Sequence, residues 1–403
     1  MIRIGLIGKT NTGKTTFFDA ATLLNAEISG RAFSTREPNQ GVAYARTVCV
    51  CREFGVSDYP RNSACIDGWR FVPIQIIDLP GLIRGAHLGR GLGTRFLNVV
   101  SQADALLHMV DASGSVNDDG NLTAPGTGDP VLDVQDIEHE LVMWFVRIIE
   151  NNREAILHGL QSGDRLDRVL YNYLAGQKVA REHISEALSR SGLSGKGFSS
   201  WDEMDLARFA REVRMLSKPT IFVANKMDLP RSAENFERLV EALGTALVVP
   251  CCAEAELALR RAEKKKYIRY TPGEEIFRIF DESKLSEEQL RALGYVDQRV
   301  FTQWSGTGIQ MALNVATFRL LRMNAVYPVD DEVRLSDKDG RVLPDVFLLP
   351  PGSTAEDLAY EIHSELARTM IFAIDARTRL RLPKDYPLRD RDVIKIIAAG
   401  EKK

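Results

Sequence analysis

Cysteine is scarce in this 403-residue chain, and the five present, Cys49, Cys51, Cys65, Cys251 and Cys252, are odd in number and lack paired zinc-type spacing. That pattern argues against a disulfide scaffold or a metal site and for buried reduced thiols. No apolar run approaches the ~18 residues of a membrane span. Met1-Ile2-Arg3-Ile4 leads straight into a strand pattern without a cationic and apolar leader, so the chain is expected in the cytoplasm, with no membrane partner. An excess of positive charge is also missing: 52 Lys plus Arg face 55 Asp plus Glu, a net charge of -3. No DNA partner is expected, and any RNA contact must be local. What remains is an ordinary globular composition, 44% hydrophobic and 27% charged, long enough for more than one core.

Ile2 to Ile7 reads as a short strand ending in Gly8-Lys9-Thr10-Asn11-Thr12-Gly13-Lys14-Thr15, and Thr16-Phe17-Phe18-Asp19 begins a helix. This is a phosphate loop in its required strand, loop and helix setting. Glycine lets backbone N–H groups curl round an anion, and the helix N-terminus adds its dipole. Gly8, Asn11, Thr12, Gly13, Lys14, Thr15 and Thr16 are therefore expected to hold the phosphates, with Lys14 on the outer ones and the Thr15 hydroxyl on Mg2+.

Further motifs follow in the order a G domain requires. Thr35 lies on a polar segment after the first helix and is a candidate second hydroxyl for the metal. Asp78-Leu79-Pro80-Gly81 caps the strand Ile74 to Ile77, offering a carboxylate to the metal through water and the Gly81 N–H to the terminal phosphate. Asn225-Lys226-Met227-Asp228 ends the strand Thr220 to Ala224. The Asp228 carboxylate can accept from both the N1–H and the exocyclic amine of guanine, whereas adenine presents neither donor there. Cys252-Ala253-Glu254 follows another strand and can offer a backbone N–H to the guanine carbonyl. All these motifs fall at strand ends, where open parallel sheets bind ligands.

The stretches Phe33 to Gly41 and Asp78-Leu79-Pro80-Gly81-Leu82-Ile83-Arg84-Gly85-Ala86-His87, with the glycines of Gly89-Arg90-Gly91-Leu92-Gly93, resemble translation-factor-like GTPases of the Obg and YchF group, nearest to its archaeal and fungal YchF-related subgroup. YchF proteins proper have an altered base-reading motif and prefer ATP. Here Asn225-Lys226-Met227-Asp228 is the guanine-reading form, so GTP and GDP are expected. Leu82 stands where many small GTPases carry the glutamine that orients the attacking water, which the resemblance links to the hydrophobic-substituted members and to slow intrinsic turnover. Asn11 occupies the position at which potassium-activated relatives hold K+; the alternative is a hydrogen bond within the loop. His87 is a candidate for positioning water, or a surface histidine of a switch loop.

Residues 113 to 131 are rich in Gly, Asn, Asp and Pro, as a loop or junction is, and Ile137, Leu141, Phe145 and Ile148 then recur at helical spacing. The expected fold class is α/β: a P-loop NTPase G domain with a mostly parallel sheet and helices on both faces, an inserted α-helical domain and a C-terminal β-grasp module. The expected segments are 1–112 and 218–254 for the G domain, 113–217 for the helical insertion, which the resemblance also implies, 255–303 for a second insertion, 304–325 for the closing helix and 326–403 for the last module. That module, with Pro351-Gly352-Ser353-Thr354 and Asp390-Arg391-Asp392-Val393-Ile394, looks like a TGS domain. Two basic features could grip RNA or simply face solvent: the run Arg260 to Tyr270, and Arg377, Arg379 and Arg381 alternating along a strand-like segment.

The expectation is a GTPase switch that binds GTP, GDP and Mg2+ and acts on the ribosome or another RNA assembly, with Lys14, Thr35 and Gly81 nearest the chemistry. Its rivals are an ATPase of the YchF type and a non-hydrolysing scaffold for the TGS module. A metabolic kinase with the same loop has no use for the guanine motif.

Overall fold

The structure is a computed structural model that describes residues 1–29, 40–79, 81 and 100–399, with residues 24–29 described by backbone alone. Thr35, Leu82, His87 and the glycines at 89, 91 and 93 lie outside the described residues.

The first sheet comprises β1 (Arg3–Ile7), β2 (Gln40–Val48), β3 (Ala64–Ile66), β4 (Trp69–Asp78), β5 (Ala105–Asp111), β6 (Thr220–Asn225) and β7 (Val248–Pro250). Its path runs β2-β4-β1-β5-β6-β7, with β3 paired to β4. β1 is parallel to both β4 and β5, β6 is parallel to β5 and β7, and β2 runs antiparallel along β4. Every residue of β5 is buried, His108 and Asp111 included, as in a strand covered on both faces. This topology brings the carboxyl ends of β1, β4, β5, β6 and β7 to one edge, where Gly8, Asp78, Asp111, Asn225 and Cys251 begin their loops.

On one face α1 (Lys14–Ser29) and the helix Ile309–Asn314 join a core with Ile4, Leu6, Phe17, Ile74, Ile221 and Leu313. The other face is covered by the inserted helices, of which Pro130–Asn151 and Glu203–Ser217 are the longest. Asp129 caps the first by accepting from Val131 N–H, with Pro130 in the first turn where no donor is needed. Its stripe of Ile137, Leu141, Phe145 and Ile149 shares one core with Ile7, Ile77 and Leu106 of the sheet. Residues 253–304 form a helix Ala253–Lys264, a hairpin of β8 (Ile268–Arg269) and β9 (Arg278–Ile279), and a helix Glu287–Val296 that continues with π-type winding through Phe301.

The C-terminal sheet comprises β10 (Asn324–Val329), β11 (Phe347–Leu349), β12 (Met370–Asp375), β13 (Arg381–Leu382) and β14 (Val393–Ala398), in the order β11-β10-β14-β12-β13 with β10 and β14 parallel. The helix Ala355–Ile362, capped by Thr354 with Asp357, lays Leu358 and Ala359 on it. This is the β-grasp module. It docks on the segment from Cys49 to Val72, whose Cys49, Val50 and Cys51 share a core with Ala325, Tyr327, Leu343 and Val393.

Candidate nucleotide site

The phosphate loop fits its surroundings only with glycine at two positions. Gly8 has φ +141, and a Cβ there would lie 2.3 Å from the Met109 carbonyl oxygen. Gly13 has φ +93, and a Cβ there would lie 2.2 Å from Asn225 Nδ2. Both conformations are open to glycine and strained for any other residue. Asn11, at φ +63, takes the left-handed conformation that asparagine tolerates. Thr12 is buried and its hydroxyl donates to the Lys9 carbonyl at 3.0 Å. Thr16 follows in the first turn of α1.

Lys14 is folded into this loop, donating Nζ to the carbonyls of Gly8 at 3.1 Å and Lys9 at 2.6 Å. Burial lowers its pKa to about 8, and the nearby Asp78 carboxylate opposes that shift. The Thr15 hydroxyl donates to Asp78 Oδ2 at 2.8 Å. Burial also raises the Asp78 pKa, against the pull of the Thr15 hydrogen bond and Lys14. The other oxygen, Asp78 Oδ1, is buried without a hydrogen-bond partner among the described residues. A hard cation suits that arrangement: a hydroxyl and an orphaned carboxylate oxygen side by side are the oxygen donors that Mg2+ takes. Gly81 closes the phosphate side, since a Cβ there would come within 2.4 Å of the Thr10 hydroxyl oxygen.

The loop from Asn225 to Asp228 is tied to the phosphate loop by Asn225. Its Nδ2 donates to the Thr12 carbonyl at 2.9 Å and its Oδ1 accepts from the Ala253 N–H at 3.0 Å. Asp228 is half-buried; its Oδ1 accepts from the Cys252 thiol at 3.0 Å, and the Tyr295 hydroxyl lies 3.0 Å from its carbonyl and 3.4 Å from its Oδ2. The structure therefore brings Cys252 and Ala253 to the base loop, although the Ala253 N–H is bonded to Asn225 rather than left for a base. Tyr295 comes from the helix Glu287–Val296, and no motif spacing signals it.

A second group escapes sequence reasoning. Asp111 is 1% exposed and accepts from the N–H and hydroxyl of both Ser113 and Ser115, while Lys226 donates to Asp111 Oδ2 at 2.9 Å. These bonds fold residues 113–129 over the phosphate loop. Asn11 Nδ2 donates to the Gly120 carbonyl at 2.9 Å, and Lys9 pairs with Asp133 at 2.7 Å. What reads as a junction is a wall of the site, and Asn11 makes one of its contacts.

The two basic features need correction. Arg377, Arg379 and Arg381 do not share a strand face: Arg379 has φ +62 and breaks the segment, so that only Arg381 enters β13. Arg377 turns away to Glu53, its Nε 2.6 Å from Oε1. In the run from Arg260 to Tyr270, Arg260 is buried and paired with Glu263, and Tyr270 is buried with its hydroxyl on Glu256. Neither of these two side chains offers phosphate contact or base stacking, whereas Arg261, Lys264, Lys265, Lys266 and Arg269 of the run are exposed.

Comparison with known proteins agrees with this geometry. Residues 3–174 match a family described as 50S ribosome-binding GTPase, residues 223–331 match an Obg-like GTPase YGR210-like, G4 motif-containing domain, and residues 334–398 match the TGS domain. The chain is 43% identical to an uncharacterized GTP-binding protein of Methanocaldococcus jannaschii, covering 100% of both chains. It is 28% identical to the ribosome-binding ATPase YchF of Bacillus subtilis over 65% of this chain and 69% of that protein. A solved GTP binding protein from Pyrococcus horikoshii is 33% identical, with a TM-score of 0.77, covering 99% of this chain and 100% of that one. With the loops after β1, β4 and β6 gathered at one sheet edge, and relatives matched end to end, the chain belongs to the Obg- and YchF-like family of P-loop GTP-binding proteins.

Proposed function

We propose that the protein binds GTP and GDP with Mg2+ and hydrolyses GTP to GDP and phosphate as a conformational switch on the ribosome or another RNA assembly. The observation that carries the guanine reading is the double tie of Asn225 to Thr12 and Ala253, which fixes the Asp228 loop against the phosphate loop. In this reading Gly8, Asn11, Thr12, Gly13 and Thr16 line the phosphates with backbone and hydroxyl donors. Lys14 leaves the carbonyls of Gly8 and Lys9 to meet the outer phosphates. Thr15, Thr35 and Asp78 would hold Mg2+, which when bound would supply positive charge where negative charge develops. Gly81 donates its N–H to the terminal phosphate, and loss of that phosphate releases the two switch segments.

With Leu82 at the usual glutamine position, no side chain there hydrogen-bonds the attacking water, so turnover without an activator is slow. K+ held beside Asn11 would add charge at the transition state; equal rates in KCl and NaCl would remove that part of the reading. The ribosome enters from the family description matched by residues 3–174 and the name of the Bacillus subtilis relative. Absence of co-sedimentation with ribosomes in every nucleotide state would direct the search to another partner.

An ATPase is the second reading, supported by the ATPase names of several relatives and by the engagement of Asp228 with Cys252 and Tyr295. Displacement of a fluorescent GDP analogue by GTP, GDP and ATP separates the two, with Asp228→Ala as the control. GTP and GDP are expected to compete far better than ATP, and Asp228→Ala to erase that preference; equal competition by ATP overturns the guanine reading.

A further inference from the structure

Although their spacing carries no metal signature, three of the five cysteines meet. Cys49 follows β2 and immediately precedes α2 (Val50–Phe54), Cys51 stands in the first turn of α2, and Cys65 is the middle residue of β3. The Sγ atoms of Cys51 and Cys65 are 3.8 Å apart, and Cys49 Sγ is 3.2 Å from Asp58 Oδ2. One ligand atom from each of these four residues lies within 4.8 Å of the other three.

We propose that Cys49, Cys51, Cys65 and Asp58 form a closed four-ligand site for a thiophilic divalent cation, Zn2+, which pins the segment beneath the C-terminal domain. Two thiolates at zinc's ~2.3 Å bond length and the tetrahedral angle stand about 3.8 Å apart, the separation found here. Four protein donors leave no open position, which marks a structural rather than a catalytic ion.

The charge around the site suits a cation. Three thiolates and one carboxylate carry four negative charges, and the ion cancels two. Arg70 cancels a third: it is fully buried, its Nη1 lies 2.7 Å from Asp58 Oδ2, and its Nη2 donates to the Leu343 carbonyl at 2.6 Å. Loading the ion displaces the thiol protons, and affinity therefore rises with pH.

The segment also needs such a staple. α2 has five residues, and between it and β3 the chain is irregular, yet this stretch carries the C-terminal domain. Tyr59 N–H donates to the Val342 carbonyl at 2.8 Å, Arg61 N–H to the Pro344 carbonyl at 2.7 Å and Asn62 Nδ2 to the Val346 carbonyl at 2.9 Å. An ion fixing both ends of the stretch fixes the platform those bonds require.

The test uses the full chain, purified without a polyhistidine tag, loaded with Zn2+ and dialysed against buffered low zinc. Elemental analysis is expected to find about one equivalent of zinc per chain. Cobalt exchanged into the site is expected to give the strong visible bands of tetrahedral Co2+ and thiolate charge-transfer absorption. Cys51→Ser and Cys65→Ser should lose the zinc and these bands while retaining binding of the fluorescent GDP analogue, which shows that they fold. Arg70→Met, which leaves every ligand in place, should weaken zinc binding about 10–100-fold. A chelator should lower the unfolding midpoint of wild type and leave Cys51→Ser unmoved. No retained zinc with no tetrahedral cobalt spectrum overturns the proposal. So does a protein mass short by two hydrogens, showing a Cys51–Cys65 disulfide.

Discussion

Asn225 donates its Nδ2 to the carbonyl of Thr12 at 2.9 Å, joining the loop from Asn225 to Asp228 to the phosphate loop through one side chain. Because Gly13 is the next residue and a Cβ on it would lie 2.2 Å from that same Nδ2, the two loops pack as a unit.

Asn225→Ala removes this bond and the one from Ala253, leaving a buried carbonyl and a buried N–H without partners. At about 1–3 kcal/mol for such a loss, GDP affinity should fall roughly 10- to 100-fold. Gly13→Ala should be worse, since strain at φ +93 is added to the clash. Titration calorimetry with GDP measures both, and unchanged affinity in Asn225→Ala would mean that the tie does not hold the loops.

Tyr295→Phe tests whether the second insertion contributes to base recognition. The hydroxyl holds the Asp228 carbonyl at 3.0 Å and lies beyond ideal range of its Oδ2 at 3.4 Å. If the phenol orients the carboxylate, its removal weakens GDP binding several-fold and leaves ATP binding unmoved. If it competes with guanine for the carboxylate, GDP binding tightens. A GDP affinity equal to wild type would leave Tyr295 with a packing role alone.

Much of the site is legible in the sequence because its chemistry is local. The phosphate loop, Asp78 and Asn225 to Asp228 each sit at the end of an apolar strand, and a parallel sheet has one carboxyl edge to bring them to. The helical stripe of Ile137, Leu141 and Phe145 is equally local. What is not legible depends on long-range contact. Residues 113–129 have the composition of a linker, and only the buried Asp111, receiving four donors from two serines and one from Lys226, turns them into a wall. Tyr295 reaches Asp228 across 67 positions. Arg377 to Arg381 alternates like a strand, but Arg379 in the left-handed region and the pull of Glu53 on Arg377 make it a turn.

Asp111→Ala should therefore be among the more damaging single changes away from the nucleotide. It strands the two serines and the Lys226 ammonium, whose side chain is 19% exposed; breaking a fully buried pair costs about 3–5 kcal/mol, and this partly exposed one costs less. Urea unfolding should show a lower midpoint. Asn11 and Lys9 lose the support of the wall they contact, so GDP affinity should fall with it. A variant as stable as wild type would mean that the loop is held by other contacts.

The protonation of Lys14 gives a pH signature whose sign differs between binding and folding. Burial places its pKa at about 8 rather than the ordinary 10.5. Nucleotide phosphates favour the charged ammonium and raise that pKa, so above about 8 binding must take up a proton. Affinity should hold steady below that pH and weaken above it, by up to tenfold per pH unit while the bound form stays protonated. Folding runs the other way: between 8 and 10.5 the unfolded chain keeps a proton that the folded chain has released, so the contribution of Lys14 to stability rises with pH in that window. Calorimetry of GTP binding in buffers of different ionisation enthalpy counts the proton directly. Lys14→Met should abolish the uptake and flatten the affinity profile. Wild-type binding that takes up no proton near pH 8.5 would show that the ammonium is already charged before the phosphates arrive.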